Sequence, residues 1–558
     1  MSYRFSGSIS LVVAILSIAG GEPAHAQAAA THDGAHIQHT SDGVPLYDNL
    51  GNHEFVVTAS PAAQRYFDQG MRLYYAFNHQ EAIRAFNEAA RLDPDCAMCY
   101  WGAALSYGPN INLPMDSASG VAAYAAAREA VARKANASPS ERALIDALAT
   151  RYVAEPAASR SGLDSLYARA MMRVAAQHPQ QPEVLTLYAE ALMDLSPWQY
   201  WNRDGSPRPD TPALLAALER VLAAEPQHPG ANHFYIHAVE AVDPERAVPM
   251  AENLAGLMPG AGHLVHMPGH IYIRVGRYAD AIRANEHAVH ADETFIADHK
   301  PSMGVYTLGY YPHNYDFLAF AASMIGRSAQ ALDAADRMAA LVKPELLGAP
   351  GLTVLQSHLS RALQMRVRFS RWEEILEAPA PPAAAPYATA IWHYARGRAF
   401  AARGDAVSAR AELAGLRTAA AHESLKDVPV EFNPATALLE IAAKVLDGHI
   451  AMASGDFAAA VELLEAAAAV EDALVYGEPP EWSVPVRYDL GNVLLKAGRA
   501  AEAEAAFRED LRRFPANGWS LDGLARSLMA QDRAREAAQV KLQFAESWKT
   551  ADVEIRMR

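Results

Sequence analysis

The chain has 558 residues, of which 51% are apolar and 20% charged, so it can bury a large core and is not a disordered polymer. Lysine and arginine number 48 against 64 aspartates and glutamates, a net charge of −16, which argues against nucleic acid and anionic membrane surfaces as partners. Two cysteines exclude a disulfide framework.

In chain order, the first segment reports an address. Arg4 precedes the apolar run Ile9 to Ala19, and Ala24-His25-Ala26 supplies a small-x-small cleavage pattern. Residues 1–26 therefore read as a signal peptide, too short to span a bilayer. Cleavage near Ala26 predicts a periplasmic or secreted protein. No cysteine follows the cleavage site and no second apolar run is long enough to cross a membrane, so no membrane anchor is expected. Residues 27–60 lack helical periodicity and are expected to be extended or disordered. His32, His36 and His39 lie in this stretch and read more readily as linker than as a metal tract.

From residue 61 onward one pattern recurs: small residues on one helix, a short turn, then Ala-x3-large-x2-Ala on the next. Tyr66, Gly70, Leu73, Ala82, Phe86, Ala89 and Pro94 form one copy, and Leu490, Gly491, Leu494, Gly498, Ala503, Phe507 and Pro515 another. Anchored on the small residue of the second helix, copies fall at 82, 247, 281, 331, 375 (an isoleucine), 409, 460, 503 and 537. Three neighbouring pairs are 34 residues apart. These residues resemble the tetratricopeptide repeat family, which implies an all-α helix–turn–helix solenoid over residues 61–558. The period is lost around 110–229, and loops are expected at Pro197–Asp210, Asp292–Pro312, Ala378–Pro386 and Asp472–Pro480. The ordering of motifs is similar to exported bacterial proteins of this repeat type, which supports the fold and supplies no reaction. The resemblance implies a concave groove for a peptide, protein or small molecule, with a plain binding scaffold as the default.

The histidines point further. Ten of 21 lie between His228 and His313, less than a sixth of the chain. His233 and His237 are four apart with Glu240 three further on, so all three share a stripe of one helix. His263, His266 and His270 repeat the arrangement in the next unit, on what the repeat alignment makes the groove side. Neutral imidazoles at i,i+4 on neighbouring helices suit a transition metal ion (Zn, Cu or Fe). His233, His237, His263, His266 and His270 are the candidate ligands, and Glu240 a ligand or proton acceptor. Glu190 and Asp194, four apart on a further helix, could join as ligands, outer partners or a general base. Any chemistry would be metal-assisted hydrolysis or oxidation, and without chemistry the site would store or deliver metal. The competing reading is a peptide-binding or protein-binding scaffold in which the histidines only form hydrogen bonds. His228 reads as a helix-cap residue, and His287, His290, His393 and His449 as ordinary polar contacts. Cys96-x-x-Cys99 opens a helix as either a redox pair or a tight packing contact. Trp198, Tyr200 and Trp201 either cover the site or cap an irregular part of the array.

Overall fold

The computed structural model describes residues 43–155, 157, 159–349 and 351–555. The expected signal peptide, the rest of the segment up to residue 42 and His32, His36 and His39 lie outside the described residues. The described chain is a tetratricopeptide-type helical solenoid without strands, interrupted by loops. No described helix is long and apolar enough to cross a membrane.

The repeat follows from where small residues fall. All nine anchor positions, from Ala82 to Ala537 and including Ile375, are 0% exposed. In the pair Pro61–Tyr75 and His79–Leu92, the Phe86 ring fills the space left by Gly70, and by Gly102 on the following helix. A Cβ built on those glycines would stand 2.6 and 2.4 Å from the ring. Phe507 repeats the wedge between Gly491 and Gly523, at 2.5 and 2.3 Å. Gly102→Ala should therefore cost about 1–3 kcal/mol of stability through overpacking, read as a lowered urea midpoint. The turn between Val486–Lys496 and Ala500–Arg513 shows how a unit reverses. Gly498 adopts φ +76°, and Arg499 N–H reaches the Leu494 carbonyl at 2.9 Å, closing the helix end.

The chain divides into two compact units. The first comprises the described residues up to Pro268 together with His290–Pro301, and the second Gly269–Val289 with the residues from Ser302 onward. Within the first unit, residues 110–229 lose the period but keep their helices, at Ser117–Arg133, Pro139–Leu148, Ser161–Gln177, Pro182–Met193 and Thr211–Ala224. The loop expected over Asp292–Pro312 is half helix. The Tyr278–His299 helix continues through Asp292 because no glycine or proline stops it before Lys300 and Pro301. A π-helical turn, Tyr306–Tyr310, follows. The loop expected from Asp472 starts after Ala473, whereas Ala378 to Ala385 is a loop as expected.

Residues 43–60 are extended, and the Pro61–Tyr75 helix holds them through side chains. Gln69 accepts from Tyr47 N–H at 2.7 Å and donates to the Pro45 carbonyl at 2.9 Å. Gln64 treats Val57 N–H and the Phe55 carbonyl likewise, at 3.0 and 2.9 Å. Asp68 and Arg72 bind Phe55 N–H and the His53 carbonyl. The segment is irregular in sequence yet ordered, because amide side chains stand in for a neighbouring strand.

Both units bury charge. In the first, Arg151 is 1% exposed and meets Asp194 at 2.6 Å and Asp164 at 3.1 Å. In the second, Arg361 meets Asp316 at 2.6 Å. His358, 7% exposed on the Thr353–Arg368 helix, is pushed down to about 4 by burial and by Arg361. Its folded form binds fewer protons than the unfolded chain between about pH 4 and 6.5, so stability rises with pH across that window. The slope contributed is at most about 1.4 kcal/mol per pH unit. His358→Gln should flatten the stability profile there while leaving it unchanged in shape above pH 7, as urea midpoints against pH will show.

Candidate metal centre

The histidine helix Pro229–Val239 begins on a histidine. His228 is its N-cap, and its Nδ1 accepts from Ala231 N–H at 3.1 Å. One and two turns on, His233 and His237 point to the same side, and Glu240 follows as the C-cap. The next short helix, Gly262–His266, brings His263 alongside. One ligating atom from each of His233, His237 and His263 lies within 4.8 Å of the other two. All three rings are buried, as is Glu240 at 0% exposure.

Hydrogen bonds fix which nitrogen faces inward. His233 Nδ1 donates to the Tyr75 carbonyl at 2.7 Å, one of the C-terminal carbonyls that the Pro61–Tyr75 helix cannot satisfy itself. His237 Nδ1 donates to Glu240 Oε1 at 3.0 Å. Ligation therefore falls to Nε2 in both, and His263 Nε2 stands 3.2 Å from His233 Nε2. A carbonyl and a carboxylate orienting the rings from behind is the arrangement that metal-ligating histidines use. Burial pushes His237 down to about 3, and burial with the neighbouring His237 holds His233 well below the usual range. Both are neutral, lone-pair-bearing ligands at any ordinary pH.

Aromatic rings close the site. Phe77 lies 4.5 Å from the His233 ring and stacks on His263 at 5.3 Å. It occupies a turn with φ +55°, the conformation that glycine supplies at Gly404, Gly455 and Gly498 in later units. Trp198 packs edge-on against His237 at 4.9 Å and donates to Asn112, while Trp201 donates to the Ala238 carbonyl. The aromatic loop thus covers the histidine helix. The face read as groove-lining is consequently buried.

The remaining expected residues distribute as follows. The His266 ring lies 5.8 Å from that of His263. His270 belongs to the second unit, where its Nδ1 is 3.7 Å from Glu478 and its ring 5.9 Å from that of His313. Glu478 also accepts from the Tyr476 hydroxyl. Asp316, three residues beyond His313, is committed to Arg361. Glu190 and Asp194 serve Tyr74 and Arg151. Burial and the adjacent Asp194 raise the Glu190 carboxyl. His287 and His290 are exposed, and His393 and His449 contact Glu412 and Asp489. Cys96 and Cys99 are buried and disulfide-bonded, and Cys96 caps its helix by accepting from Cys99 N–H.

A second group, His53, Glu183 and His228, also lies close together. Glu183 Oε1 is 2.7 Å from His53 Nε2 and 3.3 Å from His228 Nε2, and its other oxygen accepts from Tyr75 OH. Here the hydrogen positions oppose a metal. His228 Nδ1 accepts from the backbone, so its Nε2 carries the proton and donates to the carboxylate. Burial alone would raise the Glu183 carboxyl, but His228 and His53 hold it well below the ordinary range. The group is a hydrogen-bonded carboxylate centre that fastens the extended segment to the helices.

No protein-family model and no curated protein matches the chain. Among solved structures it is similar to a human IFIT1 dimer with m7Gppp-AAAA, at 12% identity over 88% of this chain and 90% of that one, with a TM-score of 0.30. It is also similar to the APC/C hetero-tetramer Cut9–Hcn1, at 13% identity over 84% and 76% of the two chains, again with a TM-score of 0.30. Both are tetratricopeptide-repeat proteins. At such scores neither carries an inference about ligand or partner.

Proposed function

We propose that this chain is an exported helical-repeat protein that holds one transition metal ion between His233, His237 and His263. The observation that carries the reading is the pairing of three converging imidazoles with outer partners that direct Nε2 of His233 and His237 inward. Three neutral nitrogens suit zinc, with copper and iron as the other members of the class. The export signal at Arg4 to Ala26 supports a periplasmic setting. An ion so held would polarise a carbonyl or lower the pKa of a water, which is the basis for hydrolysis of a small molecule or peptide. Glu240 holds His237 in register and is placed to accept a proton through it. Storage or delivery of metal uses the same ligands without the chemistry.

The test is titration of the metal-depleted protein with Zn2+ against a chelating dye. Wild type should bind one ion per chain. Glu240→Gln should bind about 10–100-fold more weakly, because the outer partner orients the ligand. Equal affinity in Glu240→Gln, or no stoichiometric binding by wild type, contradicts the assignment.

A peptide-binding role has its own supporting observation. Gln64 and Gln69 already read an extended main chain, residues 45–57, as they would a bound peptide.

A further inference from the structure

Four arginines are buried among the described residues: Arg151, Arg361, Arg368 and Arg398, between 1% and 8% exposed. Three of them meet carboxylates, Arg151 at Asp194, Arg361 at Asp316 and Arg398 at Asp489. Arg368 meets none. It ends the Thr353–Arg368 helix in the second unit, with its guanidinium over the ring of Trp519 at 4.5 Å and over that of Tyr488 at 5.2 Å. Nη2 reaches only Met324 Sδ, at 3.8 Å, while Nε and Nη1 have no hydrogen-bond partner. Helix-end carbonyls and aromatic faces offset part of the cost of burying this charge. They do not satisfy the in-plane N–H groups, and buried donors are ordinarily satisfied.

Two further buried polar atoms nearby lack partners, the Tyr278 hydroxyl and Asp510 Oδ1. Arg368 acts electrostatically on both groups, and burial raises the Asp510 carboxyl. Tyr278 also lines a cavity of about 710 Å³, together with Leu511, Pro515 and Leu521.

We propose that Arg368 is the recognition residue of a site for a small oxyanion, a carboxylate or a phosphate, with the Tyr278 hydroxyl as a second donor. Two N–H groups in one plane match two oxygens of such a group. The stacking against Trp519 and Tyr488 holds the plane fixed for them. The site lies within the second unit and is independent of the histidine centre.

Thermal unfolding of the full mature chain tests this in acetate, succinate, phosphate and chloride at one ionic strength, with a chelator present and absent. At least one oxyanion should raise the wild-type Tm by about 2 °C or more over chloride. Whether carboxylates or phosphate give the larger shift identifies the ligand class. Arg368→Met should show no oxyanion shift, and its Tm in chloride should equal or exceed that of wild type, because an unpaired buried charge has been removed. Tyr278→Phe should keep the fold and reduce the shift. No oxyanion effect in wild type, or an equal effect in Arg368→Met, overturns the proposal. If Arg368→Met does not fold, an undiminished shift in Tyr278→Phe overturns the assigned donor pair.

Discussion

Replacing His237 and His263 together by alanine should abolish stoichiometric metal binding, while the same double change at His287 and His290 should leave it intact. The two pairs differ in what surrounds them. His287 and His290 share a helix but are exposed, so an ion there would be held by two ligands in competition with water. His237 and His263 come from different helices and converge with His233 in a buried pocket closed by Phe77 and Trp198. Chelation should therefore lower the Tm of wild type and of the exposed-pair variant, and leave that of His237→Ala/His263→Ala unchanged. Loss of ligand-linked stability of this kind follows mass action, and amounts to about 2.7 kcal/mol at a hundredfold excess of ion over Kd. Calorimetry with and without chelator reads it. An unchanged chelator effect in the double variant would place the ion elsewhere.

The second large effect is structural. Arg151→Met should destabilise the first unit by about 3–5 kcal/mol, because it strands a buried carboxylate with no counter-charge. Asp194 is within 2.6 Å of the guanidinium and Asp164 within 3.1 Å. Adding Asp194→Leu to Arg151→Met should recover part of the loss, since the charge left unpaired is then gone. In a repeat array the damage should stay near the altered units, so the urea transition should broaden or split. A single unshifted transition for Arg151→Met would show that water or another group already compensates the pair.

Local signals were legible in the sequence. The anchors from Ala82 to Ala537 stand out because helix packing favours a small residue at a fixed offset, and all are fully buried. His228 as a cap followed from its place before Pro229, and the sharing of one helix stripe by His233, His237 and Glu240 followed from spacing alone. What escaped depends on contacts far apart in the chain. Phe77 lies over His263 across 186 positions, and its one local clue was an aromatic residue in a turn that elsewhere takes glycine. His53 meets Glu183 because an aperiodic segment is held by glutamine side chains, a role that no periodicity encodes. Spacing could not reveal either that Glu190 and Asp194 would be claimed by Tyr74 and Arg151. Of the two roles open to the aromatic loop in the sequence, covering the site or capping the array, the contacts of Trp198 with His237 and of Trp201 with Ala238 match the first.

The central claim is most directly tested by elemental analysis of untagged protein purified from its own compartment, beside His237→Ala/His263→Ala. The account predicts close to one zinc, copper or iron per wild-type chain and almost none in the folded variant. Metal-free wild type that stays metal-free after exposure to all three ions would contradict it, and would leave the histidines as a buried hydrogen-bonded cluster.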